Sequence, residues 1–250
     1  MAPMFEKARY IQNSFSILFS RQPEIRRKAN DFEDRLKGLY FQPHIVPVPD
    51  DLDPEVPRML FGSEHGFSQI IVSQVTLGLN VTYSPDWQID ILKGRQYLFE
   101  RVPVLFELLD ILKGEKPFFC GLSTKVHLRT KIEDEKIIGH LEKLFLKKSM
   151  NGVYDVQIKG TNVLSQRFFS NIIVQNYRTW KLEGLRQGDA RLSQNKASER
   201  GIEVFGDFND RYAFNETDDY LTSRENAEAI IDGGLTEIQK MITLVEGSSS

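Results

Sequence analysis

The chain has 250 residues and a mass of 28.9 kDa, with 40% hydrophobic and 27% charged residues, which excludes a disordered or fibrous composition and is long enough to bury a large core. A formal net charge of -3 and a pI near 5.9 exclude global attraction to phosphate or to an anionic membrane, so such contacts are confined to local patches. The single cysteine, Cys120, excludes an intramolecular disulfide, and no run reaches the roughly 18 apolar residues of a bilayer span.

The start, with Lys7 and Arg9 ahead of the interrupted run Phe15 to Phe19, lacks the pattern of a signal peptide, and the sequon Asn80-Val81-Thr82 falls inside a strand pattern. Together these features give the expectation of a cytoplasmic protein with no membrane association.

Phe15, Ile17, Leu18 and Phe19 give Ser14 to Phe19 the composition of a first strand. Ile25, Ala29, Phe32 and Leu36 then recur at helical spacing after Pro23 and end at Gly38, predicting a helix laid on a sheet face. Prolines at 43, 47, 49, 54 and 57, with Asp50, Asp51 and Asp53 among them, predict an extended, solvated crossing with one edge strand at His44 to Val48.

The clearest signal is the alternation of Val75, Leu77, Leu79, Val81 and Tyr83 with Thr76, Gly78, Asn80 and Thr82, a half-buried strand. Gln69 to Val72 reads either as its antiparallel partner or as the start of one longer strand. Leu98, Val102, Leu105, Leu109 and Leu112 fall at steps of three and four, so Trp87 to Leu112 is predicted helical, kinked or restarted at Pro103.

Phe118 to Thr130 alternates again, with Phe118, Cys120, Leu122, Val126 and Leu128 on one face and Lys125, His127 and Arg129 on the other. Thr130 and Glu133 have capping-box spacing ahead of a helix with Ile137, Ile138, Leu141, Leu144 and Phe145. Val153 to Ile158 and Phe168 to Trp180 predict antiparallel strands joined through Gly160 to Ser165, and Glu183 to Arg200 a long mobile loop. Ile202 to Phe208 resume a strand. Thr222 and Glu225 then open a last helix with Ala227, Ile230, Ile231, Leu235 and Ile238 on its apolar face.

No repeat of fixed period and no splitting linker is visible. The sum is a single α+β domain over residues 1–247, mostly antiparallel sheet, with four main helices packed on one side and a disordered tail at 248–250. The sheet allows a two-lobed form with sub-lobes 1–150 and 151–247.

Chemistry-bearing residues are sparse. The histidines at 44, 65, 127 and 140 lack zinc-ligand spacing, and there is no Walker A, Gly-x-Ser-x-Gly or Gly-x-Gly-x-x-Gly motif. No catalytic residue, metal or cofactor is therefore nominated. Lys125, His127 and Arg129 put three groups able to carry positive charge on one strand face, which suits an anion or an ordinary solvent face. Asp207, Asn209, Asp210, Arg211 and Asn215 form the densest polar constellation, able to ligate a hard cation or simply to make Asx-turns and caps. With Glu203 on the face of Asp207, this cluster supplies the minimum for a metal-assisted hydrolase or nuclease. Arg178, Arg186 and Arg191, with Lys181 and Trp180, form a basic arm suited to single-stranded nucleic acid, although acidic residues are mixed among them.

Phe61-Gly62-Ser63, Gln69-Ile70-Ile71-Val72-Ser73, Leu77-Gly78-Leu79-Asn80 and Tyr83-Ser84-Pro85-Asp86-Trp87, with the helix that follows and the late Phe208-Asn209-Asp210-Arg211, resemble a sporadically distributed, uncharacterised bacterial protein family of about this length. That resemblance implies no reaction and no catalytic residues. A patchy distribution implies a mobile-element, toxin-antitoxin or antiviral-defence context. The leading expectation is a non-enzymatic binding protein that acts through a protein partner, heteromeric or homo-oligomeric, by way of the Lys125 to Arg129 face and the Glu183 to Arg200 loop. Metal-assisted hydrolysis at Glu203, Asp207 and Asp210 and nucleic-acid binding through 178–200 are the alternatives.

Overall fold

A computed structural model describes residues 3–63, 65, 67–112, 116–146, 152–181 and 196–247. Among the described residues, nine strands form one antiparallel sheet: β1 Arg9–Phe19, β2 His44–Ile45, β3 Met59–Gly62, β4 Ser68–Val72, β5 Thr76–Thr82, β6 Pro117–Arg129, β7 Gln157–Leu164, β8 Phe168–Thr179 and β9 Glu199–Asn209. Their order across the sheet is β2-β3-β4-β5-β1-β6-β9-β8-β7. The helices are α1 Ala29–Leu36, preceded by a 3-10 turn at Ile25–Lys28, then α2 Pro85–Gln88, α3 Ile91–Ile111, α4 Asp134–Phe145, α5 Arg211–Glu216 and α6 Arg224–Glu246. The fold is α+β, and no helix among the described residues is long and apolar enough to cross a membrane.

Period-two alternation sends Phe15, Ile17, Leu77, Leu79, Val81, Leu122, Val126, Ile202 and Val204 to one sheet face, where all are buried. The long helix α6 packs on β6, β8 and β9, and α3 packs on β1 and β5 and against α6. Ile230, Ile231, Leu235, Ile238 and Ile242 of α6 and Leu98, Val102, Leu105 and Leu109 of α3 close this core. Side chains of the opposite face are mostly half-buried against their cross-strand neighbours.

The second half of the chain repeats the element order of the first. β1-α1-β3-β4-β5-α2-α3 is followed by β6-α4-β7-β8-β9-α5-α6, and without β2 the sheet reads the same outward from the antiparallel β1/β6 pair in both directions. An approximate two-fold axis thus passes between β1 and β6. The repeat lies in topology and in cross-strand positions, which explains why no fixed period is visible in the sequence.

Several element boundaries differ from expectation. β1 begins at Arg9 and carries the buried Asn13 in its core-facing row, where Asn13 Nδ2 donates to the Tyr83 hydroxyl at 2.9 Å. Gln69 to Val72 is a separate antiparallel partner of β5, joined by a turn at Ser73 and Gln74. The segment after Ser84 is broken: Asp90 caps α3 by accepting from Leu92 and Lys93 N–H, and Pro103 stands inside α3. Neither expected capping box forms. Thr130 Oγ donates to Met4 O, and the cap of α6 is Ser223, because the Thr222 hydroxyl is given to Asp210. β7 runs through Gly160, and its turn comes later, at Ser165 and Gln166 with positive φ.

The proline-rich crossing is fastened rather than free. Arg58 is fully buried and donates to Val56 O at 2.5 Å, Leu52 O at 3.0 Å and Asp53 O at 3.3 Å. Arg26 donates to Val46 O and Val48 O, and Gln74 to Asp50 O. With few of its own backbone partners able to pair, the segment is held by side-chain donors.

Candidate functional site

Cross-strand register converts the open face into rows of side chains. One row runs Gly62, Gln69, Asn80, Ser14, Ser123, Asp207, Asn171 and Thr161, from β3 to β7. Every member with a side chain is polar. The row matches itself across the two-fold axis, with Ser14 answering Ser123, Asn80 answering Asp207 and Gln69 answering Asn171. At a strand spacing of about 4.8 Å it extends over roughly 30 Å. Its members bond laterally: Ser14 Oγ to Asn80 Oδ1, Asn171 Nδ2 to Asp207 Oδ2 at 3.0 Å, and Thr161 Oγ to Asn171 Oδ1 at 2.8 Å.

Where this row meets the β1/β6 seam there is a depression of about 210 Å³. Ser14, Ser16, Gly121 and Ser123 line it from β1 and β6, Asp207 and Asn209 from β9, with Arg211 and Phe119 also at its wall. Gly121 is required by close approach, since a Cβ there would stand 2.8 Å from Asn209 Cβ. Asn209 Nδ2 donates to Asp207 Oδ2 at 3.0 Å, and Asn209 Oδ1 accepts from Arg211 N–H at 3.2 Å. The Arg211 guanidinium lies 5.4 Å over the Phe119 ring.

Further along the same strands the charges are matched. His127 Nε2 donates to Glu203 at 3.1 Å, Lys125 stands 3.8 Å from Glu203, and Arg129 pairs with Glu199 at 2.5 Å. The His127 ring stacks on Tyr177 with centroids 4.0 Å apart, and Gln175 Nε2 donates to Glu203 at 2.8 Å. The His127 hydrogen bond is the largest influence holding the Glu203 carboxyl below its usual range, aided by Lys125 and Gln175 against the effect of burial. Burial above all, and then the Glu199 carboxylate, pushes the Tyr177 phenol up. Lys125, His127 and Arg129, expected to invite an anion, therefore face carboxylates of β9, an arrangement that needs the register and was not visible from β6 alone.

The acidic cluster divides. Asp207 lies in the open-face row and Glu203 on the same face in the next charged row, but Asp210 is fully buried at the far end of β9. Its carboxylate accepts from Cys120 N–H at 2.7 Å, Thr222 Oγ at 2.5 Å and Tyr220 OH at 2.7 Å. It ties β6 and β9 to the entry of α6, and no group of three His, Cys, Asp or Glu poised for a metal occurs among the described residues. Burial pushes the Cys120 thiol up, as expected of a core cysteine.

Arg178 is likewise structural. Its side chain is 4% exposed, and its guanidinium pairs with Asp134 at 2.9 Å and Asp155 at 2.7 Å and covers the Tyr154 ring, so the base of the expected nucleic-acid arm is occupied. Arg186 and Arg191 lie outside the described residues.

A larger cleft of about 610 Å³ lies beside α3 and α6, between Lys7, Tyr10, Asp90, Lys93, Gln239 and Glu246. Among its polar groups, Asp90 caps α3 and the Tyr10 hydroxyl donates to Gln239 Oε1 at 2.9 Å.

No protein-family model matches this chain, and neither does any curated protein. The residues of the open face therefore carry the functional reading.

Sequence reading had picked out Asp207, Asn209 and Arg211 but not Ser14, Ser16, Phe119, Gly121 and Ser123. Alternation places each of these on the polar face of its strand. Only strand pairing brings them together.

Proposed function

We propose that this is a non-enzymatic binding protein that acts through a protein partner docked on the open sheet face around β6, β9 and β8. The observation that carries this reading is the composition of that face. Phe205, Ile173 and Tyr177 sit half-buried among charges already matched across strands, the mixture of aromatic and aliphatic anchors with a satisfied polar surround that suits a protein interface. Lys125, His127 and Arg129 then serve orientation and specificity, because Glu199 and Glu203 cancel the uncompensated charge that a phosphate backbone needs. The buried roles of Asp210 and Arg178 weigh against hydrolysis and against the basic arm.

The test is recovery of the tagged protein from the cells that produce it, comparing wild type, Ile173→Glu with Phe205→Glu, and Leu92→Glu, whose residue is 71% exposed in the cleft beside α3. Wild type and Leu92→Glu are expected to retain a stoichiometric protein partner and the open-face double variant to lose it, with unchanged circular dichroism in all three. Retention by the double variant, or no partner on wild type, contradicts the proposal.

A further inference from the structure

We propose that the depression at the β1/β6 seam is a binding site for a sugar ring, held through two adjacent hydroxyls. The inference stands apart from the protein-partner reading, since it concerns a small molecule and needs no partner to be seen. Three kinds of unfilled group meet there. Asp207 Oδ2 is taken by the amides of Asn171 and Asn209, which leaves Oδ1 without a partner among the described residues. The hydroxyls of Ser16 and Ser123 hydrogen-bond to no other group among the described residues, and Arg211 has no ion pair among them.

Ligand classes fall away in turn. An anion would meet Asp207, a cation would meet Arg211, and an apolar molecule would strip water from Ser16, Ser123 and the Asp207 carboxylate without replacing their hydrogen bonds. A neutral ligand must instead offer a donor to Asp207 Oδ1 and an acceptor to the guanidinium fork. A hydroxyl does both, and neighbouring hydroxyls satisfy carboxylate and guanidinium together. Phe119, its ring packed against Phe214 and capped by the Arg211 guanidinium, borders the hollow, and the 210 Å³ volume suits one sugar with its hydroxyls. Gly121 keeps it open, because a side chain there would collide with Asn209.

The same diol chemistry belongs to a free or oligomeric hexose and to the ribose of a nucleoside. The experiment is amide-resolved NMR of the full-length ¹⁵N-labelled protein titrated with methyl α-D-glucopyranoside, with adenosine, and with 2′,3′-dideoxyadenosine, which has no diol. Saturable shifts are expected at the amides of Gly121, Ser123 and Asn209 with the glucoside or adenosine, and none with the dideoxy compound. A response to the glucoside alone assigns a free sugar, and one to adenosine alone a nucleoside ribose. Asp207→Asn is expected to weaken binding about tenfold or more, as loss of a charged acceptor does. Arg211→Met, at an exposed position that leaves the fold intact, should weaken it similarly. Absence of shifts with both diol compounds, equal shifts with the dideoxy compound, or wild-type affinity in Arg211→Met overturns the proposal.

Discussion

Replacing Asp210 by alanine separates a structural carboxylate from a metal ligand. The side chain is fully buried and accepts from Cys120 N–H, Thr222 Oγ and Tyr220 OH. A hydrogen bond to a charged group contributes about 1.5–3 kcal/mol, and a buried donor left unmade costs about 1–3 kcal/mol. Cys120 N–H and Thr222 are buried, whereas Tyr220 is half-buried and can turn towards water. Two stranded donors and a weakened third put the loss near 4 kcal/mol. Asp210→Asn, which keeps one carbonyl acceptor, should lose about half of that. Urea unfolding followed by tryptophan fluorescence, with and without Mg²⁺, measures both. The expected result is a lowered midpoint with unchanged slope for each variant, and no effect of Mg²⁺ on any of the proteins. A wild-type midpoint that rises with Mg²⁺, with Asp210→Ala indifferent to the ion and otherwise as stable, would refute the reasoning.

Arg58→Met removes the donors that hold Leu52, Asp53 and Val56 carbonyls, and should destabilise the protein by about 3 kcal/mol. Limited proteolysis should then cut the 49–57 segment first. Gly201→Ala places a Cβ 2.0 Å from Leu128 O, a backbone atom, whereas Gly206→Ala meets the movable Cδ1 of Ile238 at 2.4 Å. Thermal unfolding should show the first as the more damaging, at about 3 kcal/mol or more against about 1–2 for the second. Burial, the largest cause for both, holds the Tyr10 and Tyr83 phenols well above their usual range. Because these folded values lie above the unfolded value of about 10, their contribution is intact below that pH and is lost as pH rises beyond it. Phenolate absorbance of these two residues should therefore appear together with loss of structure in an alkaline titration, not ahead of it.

Long alternating strands and the two long helices were legible because one face of each is apolar over many residues. β5, β6 and α6 appear where the period places them. β7 was misplaced because most of its residues are exposed, so neither face carries an apolar signature. Arg58 hid a buried anchor behind a residue type that normally faces water. Asp210 was grouped with Asp207 in the sequence, but it stands just past the end of β9 as the cap residue of α5, where its carboxylate turns into the core. The depression was not legible, because nothing local to Ser14 says that it stands beside Ser123, which stands beside Asp207. That information lies in long-range register, set by the whole sheet.

The most direct test of binding through the open face is photo-crosslinking in the producing cells, with a photoreactive phenylalanine analogue at position 205 in one variant and at position 92 in another. The expected result is one discrete protein adduct from position 205 and none from position 92. An adduct from position 92 with none from 205 would contradict it and move the interface to the helix side of the sheet.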